Sequence, residues 1–321
     1  LWLHHSVRWR SCLCVTLLTL TFVACGGGDD RPLQAVHLRI ATGVPGGVYN
    51  VYGAALADLV NKYLPPWRAS AISTDGSVEN LQRLANGSAN VAFSAADVVG
   101  PALHGHGPFP DPIPIVALAR LYDDYMQIVA RADSKLRTIA DLRGKTVSIG
   151  APQSGIALTS RRILRKLGLQ GAHAPHIRTH PLQRSARELV AGRIDALLWS
   201  GGLPSPAISE LQDQLSIKLL ALPPGTAAAL DSNVYTDTVI PKIVYGPLSA
   251  VSTVVASNLL VVRKDLPDDV AYRLTRLMFD HQTELQRAHQ EARGLTERGA
   301  IATYPLEWHP GAKRWYARDH P

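Results

Sequence analysis

Two stretches of this chain follow one plan, and that repeat constrains the fold more than any other feature. The first copy runs from a strand-like segment, Val36 to Ala41, through the loop Thr42-Gly43-Val44-Pro45-Gly46-Gly47 into a helical stretch ending near Lys62. Along that stretch Val48, Tyr52, Ala55, Leu56, Leu59, Val60 and Tyr63 recur at helix spacing. The second copy has a strand from Thr146 to Ala151, the loop Pro152-Gln153-Ser154-Gly155, and a helix carrying Leu158, Ile163, Leu164 and Leu167. Further on, Leu84-Ala85-Asn86-Gly87 leads into Val91-Ala92-Phe93 as Leu189-Val190-Ala191-Gly192 leads into Ala196-Leu197-Leu198, each a helix end, a glycine cap and a buried strand. Gly43 and Gly87 stand 44 residues apart and Gly150 and Gly192 stand 42 apart, so the landmarks keep register within each half. Two small, mostly parallel α/β sheets follow, with their loops at the carboxyl ends of the strands, where open α/β sheets bind ligands.

The linking segments predict how the halves join. Ile115 to Arg120 and Met126 to Arg131 read as strands flanking a crossing at Leu121-Tyr122-Asp123-Asp124-Tyr125, and the apolar run Val254 to Arg263 returns. Leu266-Pro267-Asp268-Asp269 then opens a helix holding Val270, Leu274, Leu277 and Met278. The predicted division is residues 36–122 with 256–321 as one lobe and 123–255 as the other, with a ligand cleft between lobes joined by a two-strand hinge. A length of 321 residues suits two such units, and 46% hydrophobic residues suffice to fill their cores.

The formal charge of +7 is spread along the chain without a dense basic run, which argues against nucleic acid and leaves a mild attraction for anionic solutes. Cys12, Cys14 and Cys25 all precede residue 26, so no disulfide framework or thiol chemistry is available downstream. Arg8 and Arg10 precede an apolar stretch from Cys12 to Ala24, which reads as an export signal over residues 1–24. Phe22-Val23-Ala24-Cys25, followed by Gly26-Gly27-Gly28, is similar to a bacterial lipoprotein cleavage box, although Phe22 replaces the usual leucine. Lipidation of Cys25, a flexible tether over 25–35 and attachment to the outer face of the membrane are therefore expected, with simple cleavage as the alternative. Leu1 in place of methionine suggests an unusual or misplaced start.

A glycine loop between a strand and a helix suits an anion, because the first helical N–H groups lack partners and the helix dipole favours negative charge. Thr42, Gly43, Gly46, Gly47, Val48 and Tyr49 are candidates in the first loop, and Ser154, Gly155 and Ile156 in the second. Neither loop has dinucleotide or P-loop spacing. Side-chain candidates are Thr74, Gly76, Ser77 and Asn80, Ser94 and Asp97, Gln127, and the turn with Trp199, Ser200, Gly201, Gly202 and Pro204. Ser77 reads equally well as a helix N-cap, and Arg120 either as a ligand contact or as half of an ion pair. His104 and His106, like His173, His176 and His180, lie in Gly- or Pro-bearing loops and read as solvated rather than metal-binding. No nucleophile elbow, zincin motif or paired-carboxylate motif is present, so the chain is expected to be no enzyme and to use no cofactor.

These residues together resemble the TAXI family of solute-binding proteins, which serve tripartite ATP-independent periplasmic (TRAP) transporters. The resemblance covers about residues 36 to 316. It rests on Thr42-Gly43 to Gly46-Gly47-Val48-Tyr49, Gly76-Ser77-Val78-Glu79-Asn80-Leu81, Ile139-Ala140-Asp141-Leu142-Arg143-Gly144-Lys145, Gly150-Ala151-Pro152 to Ser154-Gly155, and Leu259-Leu260-Val261-Val262-Arg263 to Asp265-Leu266-Pro267. It implies an α/β, type II periplasmic-binding-protein fold, a small glutamate-like or dicarboxylate ligand, and an integral membrane TRAP permease as partner of a monomer. Ile156 and Ala157 depart from the Thr and the acidic or polar residue frequent there. The alternative function is a ligand sensor that presents its closed form to a membrane signalling protein.

Overall fold

Both copies of the repeat are present as triplets of parallel strands. In the computed structural model β1 (His37–Ala41) lies between β2 (Arg68–Ile72) and β3 (Val91–Ala95). In the same way β5 (Thr146–Ser148) lies between β6 (His176–Arg178) and β7 (Ala196–Gly201), after the long β4 (Ile115–Arg131). The remaining strands are β8 (Ile217–Leu219), β9 (Tyr235–Ile240) and β10 (Val251–Arg263). One ten-stranded sheet runs β2-β1-β3-β10-β4-β7-β5-β6, with β8 on β4 and β9 on β10. That order is the same from either end, with β10 and β4 as the antiparallel central pair. The structure describes residue 1, residues 35–246 and residues 248–319. The segment read as an export signal, apart from Leu1, and Cys25 lie outside the described residues, as does all of the expected tether except Ala35.

Each triplet is closed by helices at repeat positions. Between β1 and β2 runs α1 (Val48–Tyr63), and between β2 and β3 runs α2 (Ser77–Ala85), followed by α3 (Ala96–Leu103). Their counterparts are α4 (Gly155–Lys166) after β5 and α5 (Leu182–Val190) before β7. The cap glycines Gly87 and Gly192 adopt φ of 73° and 67°, the same left-handed stop at both helix ends. One core packs Leu81, Leu84, Val98, Val99 and Phe109 against Leu259 and Val261, and another packs Ile163, Leu164 and Leu142 against Ile128, Val147 and Leu198. Each such side chain contributes about 1.5–3 kcal/mol by leaving water.

The segment Leu121–Tyr125, expected to lie between two strands, is itself strand. β4 passes straight through it, with Tyr122, Asp123, Asp124 and Tyr125 opposite Asn258, Ser257, Ala256 and Val255 of β10. Paired Asp residues signal a turn when their carboxyls must seek local backbone or water, but here Asp123 is held by Arg120 at 2.7 Å and by the Ser257 hydroxyl at 2.9 Å. Arg120 forms that ion pair and its Nε donates to Ser257 at 2.8 Å, and it does not line the cavity described below. The second-copy strand is shorter than expected and ends at Ser148. Among the described residues no helix is long and apolar enough to cross a membrane.

Candidate functional site

The loops at the carboxyl ends of the two triplets face each other over a cavity. It encloses about 890 Å³ of space not filled by protein, part of it open to solvent. The first residues of α1, α2 and α4, namely Val48, Ser77 and Gly155, all line it. Three sets of first-turn N–H groups, and the positive ends of three helix dipoles, are thereby brought to one space. The α2 and α4 starts abut: Glu79 N–H donates to the Gln153 carbonyl at 3.2 Å and Gln153 N–H to Asp75 Oδ2 at 3.3 Å. Gly76 sets the entry of α2, because its φ of 129° is a backbone conformation comfortable only for glycine.

The cavity floor comes from the central strands. Side chains alternate between faces of a strand, and Tyr122, Asp124 and Met126 of β4, with Val254 and Ala256 of β10, all line the cavity. Asn258 continues the β10 alternation and is fully buried opposite Tyr122. Its Oδ1 accepts the Tyr49 hydroxyl proton, while its Nδ2 and Asp124 Oδ1 are buried without a hydrogen-bond partner. Burial pushes the Asp124 carboxyl up to about 8 against the nearby Asn258 amide, with the like charges of Glu291, Asp123 and Asp97 acting in the same direction as burial.

A second carboxylate joins the two halves. Asp97 of α3 is 3% exposed, and its Oδ2 accepts the Thr159 hydroxyl of α4 and the Tyr235 hydroxyl of β9, the latter at 2.6 Å. Arg162 Nη1 lies 3.9 Å from the same oxygen, and both Nη groups donate to the Asp97 carbonyl at 3.4 Å. Burial, then Asp97, raises the Tyr235 hydroxyl well above its ordinary value, so it stays a donor.

The structure brings together Gly43, Gly47, Val48, Tyr49, Gly76, Ser77, Asp97, Ser154, Gly155, Ile156, Trp199, Ser200 and Gly201 on the cavity wall. Gly46, Gly202 and Pro204 line an adjoining recess that shares Gly47, Val48, Trp199 and Gly201. It does not bring Thr42, Asn80, Ser94 or Gln127 to either. Thr42 Oγ1 donates to the Ile72 carbonyl at 2.8 Å, and Asn80 Nδ2 donates to the carbonyls of Thr42 and Phe93, the latter at 2.8 Å. Thr74 Oγ1 donates to Asn80 Oδ1 at 2.6 Å, and Thr74 lines a surface hollow that shares Val44, Asp75 and Pro181 with the cavity. Ser94 Oγ donates to the Ala95 carbonyl at 3.2 Å, and Gln127 Oε1 accepts the Tyr245 hydroxyl. Ser77 is not the N-cap, which is Gly76; its Oγ instead accepts the Ala95 N–H at 3.1 Å.

Ser154 does cap α4, accepting from Ala157 N at 3.2 Å and donating to the Ala151 carbonyl at 2.7 Å. Ser154→Ala is expected to lower stability by about 1 kcal/mol, read as a lower urea midpoint at unchanged slope. Sequence reasoning missed Tyr122, Asp124, Met126, Thr159, Tyr235, Val254 and Ala256. For the β4 trio, the period of two in Tyr122-Asp123-Asp124-Tyr125-Met126 was the available signal. Among the described residues no group of three or more His, Cys, Asp or Glu is placed to hold a metal.

A family model described as the NMT1-like family matches residues 40–318. Among solved structures, a Xanthomonas citri protein bound to ATP is 12% identical over 87% of this chain and 94% of its own, with a TM-score of 0.53. A Bordetella bronchiseptica RB50 protein is 17% identical over 88% of each chain, with a TM-score of 0.52. A Listeria monocytogenes protein assigned to L-cystine ABC transport is 14% identical over 84% of this chain and 99% of its own, with a TM-score of 0.50. At such identities the likeness shows the fold, an α/β type II periplasmic-binding-protein architecture.

Proposed function

Because the chain belongs to the NMT1-like family, we propose that it is an extracytoplasmic solute-binding protein that captures a small solute in the cavity and presents its closed form to a membrane transporter. One observation carries this reading: three helix starts and two central strands converge on one cavity whose walls come from both halves of the repeat. Few protein functions need a space closed on both sides yet built from two separable halves; capture and release of a ligand is one.

The division into 36–122 with 256–321 and 123–255 places both changes of lobe side by side, since Asp123 pairs with Ser257 and Asp124 with Ala256 in the middle of β4 and β10. Bending there would open the cavity without disturbing either triplet. The motif resemblance to TAXI proteins supports a TRAP permease as the partner, and the segment ending at Cys25 supports export and lipid anchoring. Convergent helix starts support a carboxylate on the solute.

Thermal unfolding of the protein lacking residues 1–25 tests the reading against a panel of carboxylates, amino acids, phosphate and sugars. A ligand that binds only the folded state at 100 times its Kd adds about 2.7 kcal/mol and raises the midpoint saturably. A midpoint unmoved by every class would sink the capture reading.

A further inference from the structure

The cavity's charge is opposite to that of the chain. Its lining contains Asp75, Asp97 and Asp124 and, among the described residues, no Lys, Arg or His. Asp75 accepts from Gln153 N–H, and Asp97 is engaged by Thr159, Tyr235 and Arg162. Asp124 alone of the three has no hydroxyl, backbone N–H or cation on its carboxyl: the Asn258 amide is its polar neighbour, and its Oδ1 is buried. It sits beside two aromatic rings, since Tyr122 precedes it by two positions on the same strand face and Tyr49 reaches Asn258 in the neighbouring strand. The Tyr49 and Tyr122 rings meet edge to face with centroids 6.4 Å apart. A carboxyl that a cation can ionise, beside aromatic rings, is a cation environment, and the rest of the floor, Met126, Val254 and Ala256, is apolar.

We infer that the solute carries a protonated amine seated at Asp124 beside Tyr49 and Tyr122, with an apolar body lying toward Met126, Ile156 and Val254. This rests on the capture reading and narrows it. An amine would give the Asp124 carboxyl the positive partner it lacks, and no cation lines the cavity to receive a second carboxylate, so a dicarboxylate without an amine is disfavoured. Both phenols are held well above their ordinary values, by burial first and then by Asp124, and remain neutral hydroxyls that a cation does not repel. The charged groups acting on Asp124 from the packed elements are Asp97, Asp123 and Glu291, all acidic. An entering ammonium would displace the Asp124 proton, so amine affinity should rise with pH up to about 8.

The test uses probes that share one branched apolar body: isoamylamine, 4-methylpentanoate and leucine, with succinate as the dicarboxylate, measured by calorimetry on parent and Asp124→Asn proteins. Isoamylamine and leucine should bind, 4-methylpentanoate and succinate should bind at least 10-fold more weakly, and Asp124→Asn should weaken isoamylamine at least 10-fold while circular dichroism stays native. Tight 4-methylpentanoate or succinate binding that survives Asp124→Asn would overturn the amine inference and leave solute capture standing. Silence from all four probes would overturn the amine inference, while the broader panel separately decides capture.

Discussion

Asp97→Ala is expected to weaken solute binding by roughly 100-fold, through loss of about 3 kcal/mol from contacts that exist only when the two halves meet. The substitution strands two hydroxyls, Thr159 and Tyr235, and removes the carboxylate nearest Arg162. An unsatisfied buried hydroxyl costs about 1–3 kcal/mol, and breaking a buried ion pair from one side about 3–5. Arg162, with 20% of its side chain exposed, can turn to water, so the lower part of that range applies. Asp97's neighbours Val98 and Val99 belong to the core of the first half, whereas its polar partners all come from α4 and β9. The loss therefore falls on closure, and apparent affinity drops with the fraction of binding-competent protein. Small-angle scattering should show a larger radius of gyration, with the urea midpoint little changed. A lower midpoint at unchanged radius would mean that Asp97 serves folding rather than closure. A Tyr235→Phe cycle against Asp97→Asn should give a coupling of about 1 kcal/mol or more.

This junction also marks where sequence reading ends. Asp97 stood out as a candidate because it follows a buried strand, but its partners lie 62 and 138 residues away and carry no local pattern that ties them to it. The repeat was legible because glycine caps and helix periodicity are local signals that appear twice. Thr42, Thr74 and Asn80 were equally visible as polar residues near a loop, yet in the structure they hold backbone carbonyls and one another. A buried amide looks the same in sequence whether it serves a ligand or the scaffold, because both uses satisfy the same demand for hydrogen-bond partners. At Asp123-Asp124 the sequence separated two strands where the structure has one, because pairing with β10 carries β4 through both aspartates.

Net charge was the weakest signal. An excess of +7 over the chain says nothing of where the charges stand, and the cavity received carboxylates while arginines such as Arg120, Arg131, Arg193 and Arg263 were spent on local ion pairs. The helix starts and the acidic floor are compatible if the solute is polar at both ends, with a carboxylate toward Val48, Ser77 and Gly155 and an amine toward Asp124. Orientation would then be fixed by charge, and the apolar body would select size.

Asp124→Asn should stabilise the empty protein at neutral and alkaline pH, the second large effect. In the unfolded chain the carboxyl ionises near pH 4, and in the fold burial raises it to about 8. Between those values the unfolded state has shed a proton that the folded state keeps, so stability falls as pH rises. Below about pH 4 both states are protonated and the group contributes nothing; above about pH 8 both are ionised and the penalty is complete. An upward shift of that size corresponds to roughly 5 kcal/mol at most, and about half of that once water in the cavity screens the charge. Asparagine carries no charge to desolvate, so the variant should gain about 2–3 kcal/mol at pH 8 and nothing at pH 4. Urea midpoints across pH 4 to 9 should be flatter for the variant, crossing the parent near the acid end. Parallel curves would show that Asp124 ionises freely in the fold, and the cavity would then hold a standing negative charge with no proton for a cation to displace. A stability gain at the same position where amine binding is lost would identify Asp124 as a residue kept for its ligand at the expense of the fold.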